Sequence, residues 1–210
     1  MEHYSVGQKL YLTNSPGQIL SQFTQRRGRS LIPAPFVFGF WKQMASSIPN
    51  ASEWEVALTM VKRDIPCSLR QGYTHFFPEG GQVGQMQELL KENQQYHSIG
   101  MKSTCYYNPY ISSTYQPVFD EAANSSYFTM TENYEPYLFR YMNFLHCGQV
   151  DFTYDNASVW YQQQIMQSVA LEFDGFMYDF AEYTPYDSIS YTGQQGREIH
   201  NLYPVSYQKE

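Results

Sequence analysis

Asp174-Gly175-Phe176-Met177-Tyr178-Asp179-Phe180-Ala181-Glu182-Tyr183-Thr184-Pro185 reads as a turn, a short buried strand and a carboxylate at the strand's end. Asp174-Gly175 supplies turn chemistry, and Phe176 to Phe180 is an apolar run of strand length. An aspartate in such a run is costly unless it faces a polar pocket or finds partners. Asp179 holds that position, and Glu182 follows in the next loop. Carboxylates at strand ends of a βα barrel serve as nucleophiles or general acids. The same position also suits a helix cap or a buried hydrogen-bond network.

Upstream, Asn156 to about Phe173 reads as a long helix with Val159, Met166, Val169 and Ala170 on its inner stripe. Strand-like and helix-like segments alternate further back, which is the rhythm of a parallel α/β fold. Phe36 to Trp41, after Pro33 and Pro35, reads as a first strand. Ser52 to Arg63 reads as a helix opened by a Ser52/Glu55 capping box, with Trp54, Ala57, Leu58 and Val61 inward. Ile65 to Tyr73 is the second strand. Gln82 to His97 is a helix with Val83, Met86, Leu89 and Leu90 inward, closed by Gly100. Met101 to Tyr107 is the third strand, stopped by Asn108-Pro109. Downstream, Gly196 to about Tyr207 reads as a helix that Pro204 breaks. Between the third strand and the long helix, residues 110–155 form an excursion too long for an ordinary connection. Tyr127 to Thr131 and Tyr137 to Tyr141 read as a β-hairpin inside it.

Composition narrows the function classes. Lys and Arg total 13 against 20 Asp and Glu, a net charge of −7, so there is no basic stripe for nucleic acid. Aromatic residues make up 18% and charged residues 16%, the reverse of a disordered chain. Such a Tyr-rich composition suits broad aromatic surfaces of the kind that bind sugars. No apolar run approaches the roughly 20 residues of a membrane span. Met1 to Ser15 shows no signal-peptide pattern. Cys67, Cys105 and Cys147 fit neither a disulfide framework nor a zinc site and read as buried free thiols. Sequons begin at Asn50, Asn124 and Asn156, compatible with a secretory or lysosomal parent, and the compartment stays open.

Around Asp179 the chain resembles glycoside hydrolase family 31, the α-glucosidase and α-xylosidase family, particularly its branch with the sulfoquinovosidases. The likeness rests on segments in the family's order. They are Ser15 to Gly28, Pro33 to Trp41, Arg63-Asp64-Ile65-Pro66, Gly100 to Ser112 with Tyr107-Asn108-Pro109-Tyr110, Val150-Asp151-Phe152-Thr153, Gly175 to Pro185, and His200-Asn201-Leu202-Tyr203-Pro204. The fold expected is α/β, a partial TIM (β/α)8 barrel of about four βα units with a β-hairpin excursion after the third strand. Residues 1–30 would be a lead-in and 31–210 the N-terminal half of the barrel, without the family's β-sandwich or the barrel's second half.

The resemblance implies a fragment of a retaining α-glycoside hydrolase, with no metal and no organic cofactor. Asp179 falls on the family's nucleophile and Glu182 on a supporting carboxylate. Tyr73, His75, Tyr107, Asn108 and Tyr178 are the implied or candidate sugar-binding residues, and Tyr110 and Tyr183 present further rings to sugar. The family's acid/base aspartate lies beyond the nucleophile, and Glu79, Asp151 and Glu182 do not match it, so the 210-residue chain is expected to be inactive alone. Two departures stand out. Ala181 replaces a frequent glycine, and Gln71-Gly72-Tyr73-Thr74-His75 replaces the segment in which maltase-type members carry a sugar-binding aspartate. Arg70 either meets an anionic substituent or pairs with a carboxylate. The alternative from another class is a non-catalytic carbohydrate-binding fragment. Partners expected are a carbohydrate, no nucleic acid, no membrane, and either a second copy or aggregation through open barrel edges.

Overall fold

The computed structural model describes residues 8–43 and 52–209. The chain divides into two compact units, residues 1–37 and 38–210. In the first, helix α1 (Pro16–Arg27) starts at Ser15 with Pro16 in its first turn. It ends at Gly28, whose φ of +100° only glycine adopts freely. Arg26 in its last turn lies over the Tyr11 ring, 5.9 Å from the centroid.

The second unit is built on a parallel sheet. Strands β1 (Trp41–Gln43), β2 (Leu69–His75), β3 (Lys102–Tyr107) and β7 (Gly175–Tyr178) form one sheet in the order β1-β2-β3-β7, every pair parallel. Helices α2 (Glu53–Lys62), α3 (Met86–Ser98) and α5 (Asp155–Ala170) connect them. Two short helices, α6 (Gly196–Ile199) and α7 (Tyr203–Tyr207), follow β7. This is a partial (β/α)8 barrel with four βα units, the fold class expected.

The capping box forms as read. Ser52 Oγ accepts from the Glu55 amide at 3.2 Å, and the Ser52 amide donates to Glu55 Oε2 at 2.9 Å. Those contacts hold the Glu55 carboxyl below its usual range, the Ser52 backbone bond foremost. Gly100 takes φ +79° after α3, and Pro204 opens α7 after a break from α6. Cys67, Cys105 and Cys147 are free, the last two buried. Asn124 and Asn156 are exposed, while Asn50 lies outside the described residues.

Several boundaries and faces differ from the sequence reading. Pro35–Phe38 is a 3-10 turn, and the first strand begins only at Trp41. Proline's fixed φ and missing N–H favour that turn over a ladder. The second strand begins at Leu69, so Ile65 stays outside it and 44% exposed. Val61, Val83 and Met86 are likewise exposed rather than inward. On α5 the expected stripe is inverted: Val159, Met166 and Val169 are about half exposed, while Ala157, Trp160, Tyr161, Ile165 and Ser168 are buried. The helix is apolar on two faces, and the two large rings at 160 and 161 bury more area than any aliphatic on the opposite face.

The excursion also differs. Strands β4 (Tyr110–Ser112), β5 (Leu138–Tyr141) and β6 (Leu145–Gln149) form an antiparallel sheet in the order β4-β6-β5, with α4 (Val118–Asn124) between β4 and β5. The hairpin is therefore β5–β6. Tyr127 to Thr131 forms no strand of its own, but it meets the segment before β5 through the Met130–Pro136 bridge and through backbone bonds from Thr131 to Glu135 and from Tyr137 to Thr129, both 2.8 Å. The true turn carries Met142 at φ +51° and Asn143 at φ +66°, left-handed positions with no glycine to mark them.

Candidate active site

Alternation along the parallel strands decides which side chains share a face. In β3, Cys105 and Tyr107 point to the helices: Tyr107 Oη donates to the Gln164 carbonyl of α5 at 3.3 Å. Thr104 and Tyr106 take the opposite, barrel-interior face. The register pairs Tyr106 with Met177 and Tyr107 with Tyr178. Asp179, two residues past Met177, therefore returns to the Tyr106 face, and Tyr178 falls on the helix face, stacked on Tyr207 at 4.2 Å. Tyr107 and Tyr178, expected to bind sugar, are thus parts of the sheet–helix core.

Asp179 stands just beyond the end of β7, half-buried, with its amide bonded to the Tyr107 carbonyl at 3.0 Å. Each carboxylate oxygen has a donor. Tyr106 Oη reaches Oδ2 at 2.8 Å, and the Phe180 amide reaches Oδ1 at 3.0 Å. The His75 ring stacks on Tyr106 with centroids 4.1 Å apart, and Tyr73 lies 5.8 Å from His75. Tyr73 Oη accepts from Gln43 Nε2 at 3.1 Å. Asn108 is fully buried; its Oδ1 accepts from the Tyr110 amide at 3.0 Å and its Nδ2 donates to Tyr141 Oη at 3.5 Å. The structure thus gathers Asp179, His75, Tyr73 and Asn108 around one end of the sheet. Glu182 is exposed in the loop beyond.

Burial sets the electrostatics. It pushes the His75 imidazole down, against the opposing fields of Glu79 and Asp179. It raises the Tyr106 hydroxyl, reinforced by the bond to Asp179, and pushes Tyr141 up to about 12. Both phenols therefore remain protonated donors at neutral pH.

Behind Asp179 the chain turns sharply: Phe180 has φ +62° and Ala181 φ +88°. The buried Tyr110 hydroxyl accepts from the Ala181 amide at 3.3 Å and the Tyr183 amide at 3.4 Å, holding this turn. His200 Nδ1 donates to the Thr184 carbonyl at 3.0 Å, and Gln149 Nε2 donates to Thr184 Oγ1 at 3.0 Å. Asp151 is fully buried: Oδ1 accepts from the Thr153 amide at 2.9 Å and hydroxyl at 2.7 Å, and Oδ2 accepts from the Tyr191 amide. It ties the approach to α5 to the downstream loop rather than capping the helix, whose cap residue is Tyr154. Arg70 pairs with Glu92 at 2.9 Å and lies over the Tyr96 ring, committed to the helix side. Phe139, Arg140, Tyr141, Met142, Phe180 and Tyr183 line a cleft of about 220 Å³, so the excursion and the Asp179 turn share a wall.

Residues 30–210 match the glycosyl hydrolases family 31 TIM-barrel domain. The chain belongs to glycosyl hydrolase family 31. Among its relatives, the α-xylosidase XylQ of Lactiplantibacillus pentosus is 27% identical over 93% of this chain and 26% of its own length. The sulfoquinovosidase of Escherichia coli (strain K12) is 30% identical over 58% of this chain and 18% of its own. The family 31 chain therefore spans about a quarter or less of those proteins. A family 31 sulfoquinovosidase from E. rectale, solved with an aza-sugar inhibitor, superposes with a TM-score of 0.76 at 23% identity, covering 91% of this chain and 30% of its own. A Flavobacterium johnsoniae family 31 dextranase complexed with glucose gives 0.79 at 19% identity, covering 94% and 26%. These superpositions speak for the fold.

Tyr106, Tyr141 and Tyr110 were not singled out by the sequence for the places they hold around Asp179. Strand alternation identifies the first only once the β3–β7 register is known. Neighbours on a strand point oppositely, so Tyr178 cannot share a face with Asp179, and the paired Tyr107 falls with Tyr178.

Proposed function

We propose that this chain carries the nucleophile-bearing portion of a retaining α-glycoside hydrolase that removes a terminal α-linked sugar by double displacement. Asp179 attacks the anomeric carbon, the glycosidic C–O bond breaks, and a second carboxyl group protonates the departing oxygen. Water then attacks the glycosyl ester, giving its proton to that second group, and the electron pair of the ester bond returns to Asp179. The observation that carries this reading is the Asp179 carboxylate at the end of the fourth parallel strand, on the face lined by Tyr73, His75 and Tyr106. Asn108 and Glu182 support the site, Asn108 through Tyr110 and Tyr141, Glu182 from the loop beyond. The broad class is α-glucosidase-like. With Gln71 to His75 in place of the maltase-type segment, Tyr73 and His75 give that wall an aromatic character.

Asp151 spends both oxygens on the protein and Glu182 is exposed, so the proposed proton donor is neither of them. The 210-residue chain should accordingly react with activated glycosides and turn over natural ones poorly. The same observation favours the second reading, carbohydrate binding without hydrolysis. Incubation with 5-fluoro-α-D-glucosyl and 5-fluoro-α-D-xylosyl fluorides separates the two, because fluoride leaves without a proton donor. The expected result is one covalent sugar on the peptide bearing Asp179, absent from Asp179→Asn. A folded chain that binds glucose or xylose by calorimetry yet never acquires the label establishes the second reading.

A further inference from the structure

Tyr106 belongs to no sugar-binding or acid/base role assigned above, yet it makes the closest side-chain contact to Asp179. Its hydroxyl lies 2.8 Å from Oδ2 and has been pushed firmly into its neutral, donating form. The ring is fixed from two sides: His75 stacks at 4.1 Å, and the β3–β7 register places residue 106 opposite Met177. The other oxygen takes a backbone amide at 3.0 Å, which side-chain substitution leaves in place. The hydroxyl is therefore the one side-chain donor to this carboxylate among the described residues.

We infer that Tyr106 is a positioning residue that sets the balance between the two displacement steps, an inference that rests on the nucleophile reading of Asp179. A hydrogen bond to an ionised oxygen is stronger than one to a neutral ester. The contact consequently stabilises the free carboxylate relative to the glycosyl ester, whichever oxygen forms the new bond. In the first step the carboxylate donates an electron pair to the anomeric carbon and loses charge, so the bond opposes attack. In the second, the C–O ester bond breaks, the pair returns to the carboxylate, and water supplies the incoming oxygen, so the same bond assists departure. Tyr106 slows formation of the intermediate and speeds its release.

The fluorinated glycosyl fluoride that labels the chain reads both steps: the rate of label formation, and the rate at which the isolated labelled protein loses its sugar to water. In Tyr106→Phe, formation should be as fast as in wild type or faster, and release slower by roughly tenfold, the equivalent of a charged hydrogen bond's lower range. Replacement of residue 106 by 3-fluorotyrosine, a stronger donor of nearly the same shape, should move both rates the opposite way and covers the case in which Tyr106→Phe fails to fold. A purely structural contribution lowers both rates together. That pattern, or unchanged release in both variants, overturns the inference while leaving Asp179 as nucleophile. Wild-type protein that is folded but unlabelled overturns the nucleophile reading itself, and the inference with it.

Discussion

At the level of single residues, the turn after Asp179 is the most exacting position in the chain. Ala181 has φ +88° and is fully buried, in a conformation that costs an L-residue about 1–2 kcal/mol. Glycine removes that cost, but it forfeits a buried methyl and adds unfolded-state freedom, each worth up to about 1 kcal/mol. Ala181→Gly should therefore lie within about 1 kcal/mol of wild type. Ala181→Val keeps the unfavourable φ and adds branching in a filled site, so it should lose about 2 kcal/mol or more. Urea melts of the three proteins check this; a valine variant as stable as wild type contradicts the described turn. The sequence exposed the carboxylate readily, because an ionisable group in an apolar run has few structural uses. It did not expose Tyr106 as its partner, since a Tyr-Tyr pair carries no mark of which ring faces inward until the β3–β7 register is known.

At the level of elements, α5 shows how a helical stripe misleads. Its aliphatic stripe looks like a core face, yet Trp160 is 4% exposed and Met166 is 59% exposed. Trp160→Ala should cost about 3 kcal/mol or more by leaving a cavity, while Met166→Gln should stay within about 0.5 kcal/mol. Equal losses in denaturant melts would restore the aliphatic stripe as the core. Capping residues, glycine stops and proline breaks were legible because each acts locally; the choice between two apolar faces is made by the rest of the fold. The elements are also clamped at the end opposite the site. Asp174, before β7, accepts from Lys102 of β3 at 2.8 Å, from His97 of α3 at 2.7 Å and from the Ser103 amide at 2.9 Å. Burial alone raises this carboxyl, but Lys102, His97 and the Ser103 amide outweigh it and hold it below its ordinary value. A carboxyl depressed in the folded state contributes stability above its unfolded pKa, about 3.9, and loses it as pH falls through the lower folded value. Wild type should therefore lose stability faster than Asp174→Asn below about pH 4. Parallel acid dependences in melts taken from neutral to acid pH would show that the clamp contributes nothing.

At the level of the whole molecule, the second unit is a sheet whose order runs from β1 to β7 without closing on itself among the described residues. A closed barrel leaves no sheet ends, whereas here apolar rings stand at both: Phe40 is 59% exposed beside β1, and Phe176 is 39% exposed within β7. Val159, Met166 and Val169 add an aliphatic stripe on α5, each more than half exposed. Exposed apolar surface of this kind drives association in water, and a net charge of −7 opposes it only over the screened range of a few ångströms to about 10 Å in salt. We expect the 210-residue polypeptide to self-associate in a concentration-dependent way at micromolar levels, and more strongly as salt rises. Two contributions can be told apart. Met166→Lys with Val169→Lys removes the helix stripe without touching the sheet, and should weaken association only in proportion to that stripe; Phe40→Ser with Phe176→Ser acts at the sheet ends. Sedimentation velocity across a hundredfold concentration range reads both. A wild-type polypeptide that stays monomeric throughout, and melts cooperatively, would mean that four βα units bury their own edges and need no second copy.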